Sequence, residues 1–269
     1  MSALVDRISV EPSRLCTKGC SFCYNGSSAT GTGSWSSADL VAFAADCAAH
    51  TVRAISFGGG EPLEWPQIFE TLDALRGVLF RSLTTNGLPL ESAATFDDLV
   101  RARPEKVHVS IHAPENRREV VRVIESVTRI ASAGIASGVN LLLRRSRLAE
   151  AKSAHAALVE LGIGPERIVL LPMRGEGATE TPSASEVAAI AAGPFQSMSC
   201  LRGCARSARF ASIDADRRAA WCSYTVSRRP LLEPTYRGLS AALDALDLVP
   251  CHAPKADRAR GRLAVIGDG

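Results

Sequence analysis

The chain has 269 residues, 46% hydrophobic and 22% charged, enough for one large domain or one domain with a small appendix. A formal net charge of +3 is too small to argue for nucleic acid or a membrane surface as partner. No run of about eighteen apolar residues occurs, and Met1-Ser2-Ala3-Leu4-Val5-Asp6-Arg7 is no signal stretch, so the expected location is cytoplasmic, where thiols stay reduced.

Taken in chain order, strands are expected at 7–11, 53–57, 80–84, 106–111, 136–143 and 167–171, with amphipathic segments between them. Leu40, Phe43, Ala44 and Cys47 share one helical face, as do Val120, Val123, Ile124, Val127 and Ile130. Gly134 and Gly162 stand where two helices should stop. Six strand–helix repeats specify an α/β protein with a parallel sheet. Right-handed crossovers allow a barrel or a doubly wound sheet, and the count of six favours a partial (β/α)6 TIM-like barrel. The pattern breaks after Gly193-Pro194. A hairpin follows, with Phe210-Ala211-Ser212-Ile213, a turn at Asp214-Ala215-Asp216, and Ala219-Ala220-Trp221-Cys222. A short helix is expected at 239–246. The expected division is a core at 1–195, a small C-terminal cysteine-rich domain at 196–254 and a tail at 255–269.

Eight cysteines in a reducing compartment point to metal or redox chemistry rather than disulfides. Cys16, Cys20 and Cys23 lie in one loop directly after the first strand. A cubane [4Fe–4S] cluster takes four ligands, so three thiolates leave one iron open for a small molecule. A structural zinc site normally takes four ligands, and this trio has no nearby fourth. Cys47, on its apolar helical face, reads as a buried free thiol.

Cys-x₃-Cys-x₂-Cys with an aromatic before the last cysteine resembles the signature of the radical S-adenosylmethionine (SAM) superfamily. Gly58-Gly59-Gly60-Glu61-Pro62-Leu63 resembles its GGE motif, and Thr84-Thr85-Asn86-Gly87 its TNG segment. The resemblance runs over about residues 7–200. It implies that a cluster on Cys16, Cys20 and Cys23 chelates SAM, cleaves it reductively and releases a 5′-deoxyadenosyl radical that takes hydrogen from the substrate. An external one-electron reductant of flavodoxin or ferredoxin type is then required. The resemblance places Phe22 near adenine, Gly59, Gly60 and Glu61 at the methionine amino group, and Ser110 at the ribose or carboxylate. It adds Thr85 and Asn86 to the cofactor site, sets Leu171 on adenine, and puts Arg144, or its competitor Arg145, at the SAM carboxylate.

Cys200, Cys204, Cys222 and Cys251 make four further ligands, enough to close a second cubane. The hairpin resembles the SPASM and Twitch extensions that hold auxiliary clusters, and four cysteines suit the shorter Twitch type. A zinc knot would use the same four thiols, and a site lacking Cys251 would leave an iron open. A closed auxiliary cluster implies net oxidation of the substrate radical. For the accompanying proton His112 is the first candidate, sharing a strand face with His108 and Ser110; Asp214, Asp216 and Glu176 rank below it. The implied function is maturation of a ribosomally made peptide, with a separate recognition protein because the chain begins almost at strand one. The alternatives are a dehydrogenase of aminocyclitol or sugar-like small molecules, or, outside enzymes, an iron–sulfur electron carrier or zinc-binding interaction module.

Overall fold

Apolar residues recur at alternate positions along most of the first six strands, and the fold follows from where that apolar face goes. The computed structural model describes residues 5–174, 179–191, 209–247, 249 and 251. The strands are β1 (Arg7–Val10), β2 (Ala54–Phe57), β3 (Phe80–Thr85), β4 (Lys106–Ile111), β5 (Ala136–Leu143) and β6 (Ile168–Pro172). Their helices are α1 (Ser37–Ala49), α2 (Ile68–Ala74), α3 (Ala93–Ala102), α4 (Arg117–Ser132), α5 (Leu148–Glu160) and α6 (Ala184–Ala191). Ile8, Val10, Ile55, Phe57, Leu83, Val107, Val109, Val139 and Leu141 are all buried, and they join helix residues such as Phe43, Leu72, Leu99 and Val127 in one core.

The strands lie in the order β6-β5-β4-β3-β2-β1, every neighbouring pair parallel. Each crossover therefore advances the same way, and right-handed crossovers put every helix on one side. A doubly wound sheet needs a reversal of strand order, so this is the partial barrel. Two helices end where expected, at glycines in the left-handed region: Gly134 (φ 76°) and Gly162 (φ 79°). Cys47 is fully buried on α1, and burial pushes its thiol up to about 12.

Beyond residue 208 the chain returns to the same sheet. β7 (Phe210–Ile213) pairs with β1 in parallel, Ile8 opposite Ala211; β8 (Arg218–Ala220) and β9 (Arg229–Pro230) follow antiparallel. The expected hairpin is present, but its first strand covers the edge that an open barrel would leave on β1. Its turn is pinned to the cysteine loop and the lead-in to α1. Arg14 makes a two-pronged ion pair with Asp216 (2.9 and 2.7 Å), and Trp35 Nε1 donates to the Asp214 carbonyl at 3.2 Å. The last helix, α7 (Tyr236–Asp244), packs on α1: its Tyr236 ring stacks on His50 at 4.6 Å. Among the described residues no helix is long and apolar enough to cross a membrane.

Three outer-face positions are polar: Arg81, Thr85 and Ser137. Arg81 on β3 is 1% exposed; it donates to both Glu105 carboxylate oxygens and to the carbonyls of Leu72, Ala102 and Arg103. These carbonyls lie around the end of α3 and the end of α2, so one guanidinium ties two helices to the sheet. Arg81→Leu strands them in a dry environment. The expected cost is about 3 kcal/mol, read as a lower urea midpoint with an unchanged slope; an unaltered midpoint would show the tie to be dispensable.

Candidate active site

The inner face of the barrel carries the opposite chemistry from the outer one. Ser9 lies opposite Ser56, Ser56 opposite Ser82, Thr84 opposite His108, and Ser110 opposite Asn140. A filled TIM barrel places bulky branched side chains there. Here the concave face is small and polar across β1 to β4 and turns apolar at Leu142 and Leu171, and it opens upward into a cavity of about 310 Å³ at the C-terminal strand ends.

Cys16, Cys20 and Cys23 all line that cavity. Their loop is fastened from several sides. The Cys16 N–H donates to the Ser28 carbonyl at 2.9 Å, and Thr17 donates to Glu64 through its N–H (2.9 Å) and hydroxyl (2.7 Å). Lys18 Nζ meets Glu119 at 2.8 Å, with both side chains largely buried. Burial raises the Cys16 and Cys20 thiols above their usual range, and Lys18 opposes this at Cys20. Among the described residues no three His, Cys, Asp or Glu side chains converge as around a single ion; a cubane asks for something different, one thiolate on each of three irons.

The glycine run after β2 is stapled to this loop. Gly60 N–H donates to the Ser13 carbonyl (3.1 Å), and Glu61 N–H to the Leu15 carbonyl (2.7 Å). Glu61 is 2% exposed and lines the cavity. Its carboxylate accepts from Asn86 N–H at 2.6 Å and Leu63 N–H at 3.1 Å, yet burial still lifts its pKa to about 7. The Asn86 side-chain amide lies 3.8 Å from Cys16 Sγ, and Thr85 Oγ1 accepts from Gly87 N–H. Gly59, Phe22, Ser110 and Leu171 line the same space.

Arg144 does not reach the cavity wall. It is ion-paired with Glu115, and its guanidinium sits over the Phe22 ring at 5.3 Å. Arg145 turns away toward Glu186 on α6 at 3.6 Å. Two cations line the cavity: Lys18, held by Glu119, and Arg174, just beyond β6, whose buried Nε, like that of Arg144, has no hydrogen-bond partner among the described residues. His112 also lines the cavity, 3.8 Å from Glu119, but burial and Lys18 push its pKa down to about 4. That makes it a weak proton acceptor at neutral pH. Asp216 is engaged by Arg14, and Glu176 lies outside the described residues. Cys200 and Cys204 also lie outside them; Cys222 and Cys251 are half-buried. Ser223 and Tyr224, next to Cys222, line the cavity, and Tyr224 meets Tyr24 edge-on at 5.0 Å, beside Cys23.

Residues 10–181 match the radical SAM superfamily. The chain belongs to that superfamily. Solved radical SAM structures share its fold. SuiB of Streptococcus suis bound to S-adenosylmethionine superposes with a TM-score of 0.65 at 13% identity, over 82% of this chain and 61% of SuiB. Native anSMEcpe with bound AdoMet and the Cp18Cys peptide gives 0.62 at 12% identity, over 93% of this chain and 85% of that one. This radical SAM protein thus spans about three fifths of SuiB. The superfamily uses a [4Fe–4S] cluster and SAM. The donor set fits: three thiols on one fastened loop adjoin a glycine cradle, a buried carboxylate and an unpartnered guanidinium nitrogen, all on one cavity.

Cavity-lining residues that sequence reading passed over include Lys18, Arg174, Asn140, Ser56 and Ser9. A signal for the last three was present, as polar residues on strands whose other face is mainly apolar.

Proposed function

We propose that this radical SAM enzyme holds its cluster on Cys16, Cys20 and Cys23, binds SAM in the adjoining cavity and oxidatively modifies a peptide. The convergence of the three thiols with Glu61 and Asn86 on one cavity carries the reading. When bound, the cluster supplies the electron that cleaves the SAM sulfonium bond and releases the hydrogen-abstracting 5′-deoxyadenosyl radical. The chain positions and shields. Glu61 accepts from the methionine amino group, Phe22 and Leu171 flank adenine, Ser110, Thr85 and Asn86 supply polar contacts, and Arg174 rather than Arg144 is the cation for the SAM carboxylate.

Cys222 and Cys251, with Cys200 and Cys204, hold an auxiliary [4Fe–4S] cluster in the unit at 196–254 that takes the electron left by the substrate radical. The cavity position of Ser223 and Tyr224 supports this. A peptide substrate is supported by the SuiB structure bound to the precursor peptide SuiA and by anSMEcpe with its peptide. The hydroxyl- and amide-lined barrel floor favours a second reading, dehydrogenation of a polar small molecule. Anaerobic reconstitution with SAM and dithionite should yield 5′-deoxyadenosine. Deuterated peptide or small-molecule fractions then identify the hydrogen donor by label recovered in that product. No 5′-deoxyadenosine from either would sink the proposal.

Glu61 makes a further expectation measurable. Its pKa near 7 leaves it mostly protonated at pH 6, and the amino N–H donors and sulfonium charge of SAM beside it favour the charged form. SAM binding at pH 6 should therefore release about one proton, and affinity should rise from pH 5.5 to 7. Calorimetry in buffers of different ionisation enthalpy reads this directly. Glu61→Gln should lower the release by about one proton; an equal release from that variant would assign the proton elsewhere.

A further inference from the structure

The first two turns of α4 face two ways. Inward, Glu119 binds Lys18 of the cysteine loop at 2.8 Å, and Arg122 Nη1 donates at 2.9 Å to the carbonyl of Asn86, whose side-chain amide lies 3.8 Å from Cys16 Sγ. Outward, the same turns border a surface groove of about 580 Å³, where, among the described residues, Arg117, Arg118, Arg122 and Arg129 are accompanied by two carboxylates, Glu125 and Glu91, the latter 3.6 Å from Arg122. Arg122 and Arg129 are occupied, the latter by the Leu90 carbonyl and the Phe96 ring. Arg117 and Arg118 are exposed, and among the described residues their guanidinium groups make no hydrogen bond or ion pair. Val121, 44% exposed, adds an apolar contact between them.

We propose that this groove docks an acidic one-electron donor of the flavodoxin type. The inference rests on the radical SAM reading, in which each SAM cleavage consumes one electron. The donor's reduced flavin loses that electron and the site on Cys16, Cys20 and Cys23 gains it; no bond is made or broken. None of the groove residues lines the cavity. A substrate seated here would be cut off from the radical, whereas an electron needs proximity and no opening. The groove reaches the loop bearing Cys16 through single side chains. The two glutamates and Val121 disfavour a uniform polyanion such as nucleic acid and suit a protein surface of mixed but mainly acidic character. Electron-transfer partners make small, weak, charge-steered contacts, which four arginines around one apolar residue can supply.

The test uses the anaerobically reconstituted protein and a purified acidic flavodoxin. Oxidised flavodoxin should bind with micromolar affinity, weakening about tenfold between 50 and 300 mM salt. Arg117→Glu with Arg118→Glu should weaken binding at least about tenfold. It should slow 5′-deoxyadenosine formation driven by reduced flavodoxin in proportion, and leave the dithionite-driven rate unchanged. Glutamate is favourable in a first helical turn, so the fold should hold; Arg117→Gln with Arg118→Gln gives the same sign at smaller size. Absent binding, unaltered binding by both variants, equal loss with both reductants, or equal binding of an oligoglutamate peptide would overturn the proposal. Failure of dithionite to yield 5′-deoxyadenosine from the unmutated protein would instead strike the radical SAM reading and leave the binding result standing.

Discussion

Cys20→Ala should lose about four irons per chain and drop 5′-deoxyadenosine formation below roughly a thousandth of the unmutated rate, because no protein group can supply the electron in the cluster's place. The expectation is sharp because the thiol contributes little else to the loop. Loop geometry is held by neighbours: Thr17 on Glu64, Lys18 on Glu119, and Cys16 N–H on the Ser28 carbonyl. Cys23, by contrast, donates to Asn25 Oδ1 at 3.0 Å, so its removal mixes a packing effect with loss of a ligand. The apo form of Cys20→Ala should therefore unfold at the same temperature as the apo form of the unmutated chain. Iron retained in full, or turnover retained, would overturn the three-thiolate assignment; a large drop in apo stability would show the loop to depend on that side chain after all.

That separation between loop scaffold and ligands explains what the sequence could and could not reveal. Strand positions were legible because each strand is a short β-branched or apolar run, alternating with polar residues in β1 and β4, so Lys106–Ile111 and Ala136–Leu143 coincide with expectation to the residue. The cysteine loop and the glycine run were legible because their chemistry is local. What escaped is non-local. Lys18 and Glu119 stand 101 positions apart, and nothing near either announces the other. The parallel pairing of β7 with β1 joins residues about 200 apart, and a short apolar run before a turn reads as a hairpin whatever edge it later finds. Arg144 and Arg174 each follow a strand end, and their difference is equally non-local: Arg144 pairs with Glu115, 29 positions away, while Arg174 lines the cavity.

The glycine run itself should divide sharply under substitution by alanine. At Gly58 an added Cβ meets nothing within 4 Å, and its φ is not in the left-handed region. Gly58→Ala should leave stability unchanged or raise it by up to about 1 kcal/mol through the unfolded chain. At Gly60 the Cβ would lie 2.3 Å from the Leu15 carbonyl oxygen and 2.9 Å from the Arg14 carbonyl carbon, both backbone. A side chain could swing aside; this segment cannot, because Gly60 and Glu61 are bonded to it at Ser13 and Leu15. Gly60→Ala must open the staple, at about 1–3 kcal/mol for overpacking and about 1 kcal/mol for each hydrogen bond lost. Gly59→Ala should be at least as severe, since its φ of 93° is strained for any L side chain and its Cβ would sit 2.5 Å from Glu11 Cβ. The staple also sets the height of Glu61 against the cysteine loop. Gly60→Ala should consequently weaken iron retention and SAM binding together, while Gly58→Ala leaves iron retention intact. Denaturant midpoints and iron content of the three variants decide it, and equal behaviour of Gly58→Ala and Gly60→Ala would mean that the run is an ordinary turn rather than the wall against which the cysteine loop is built.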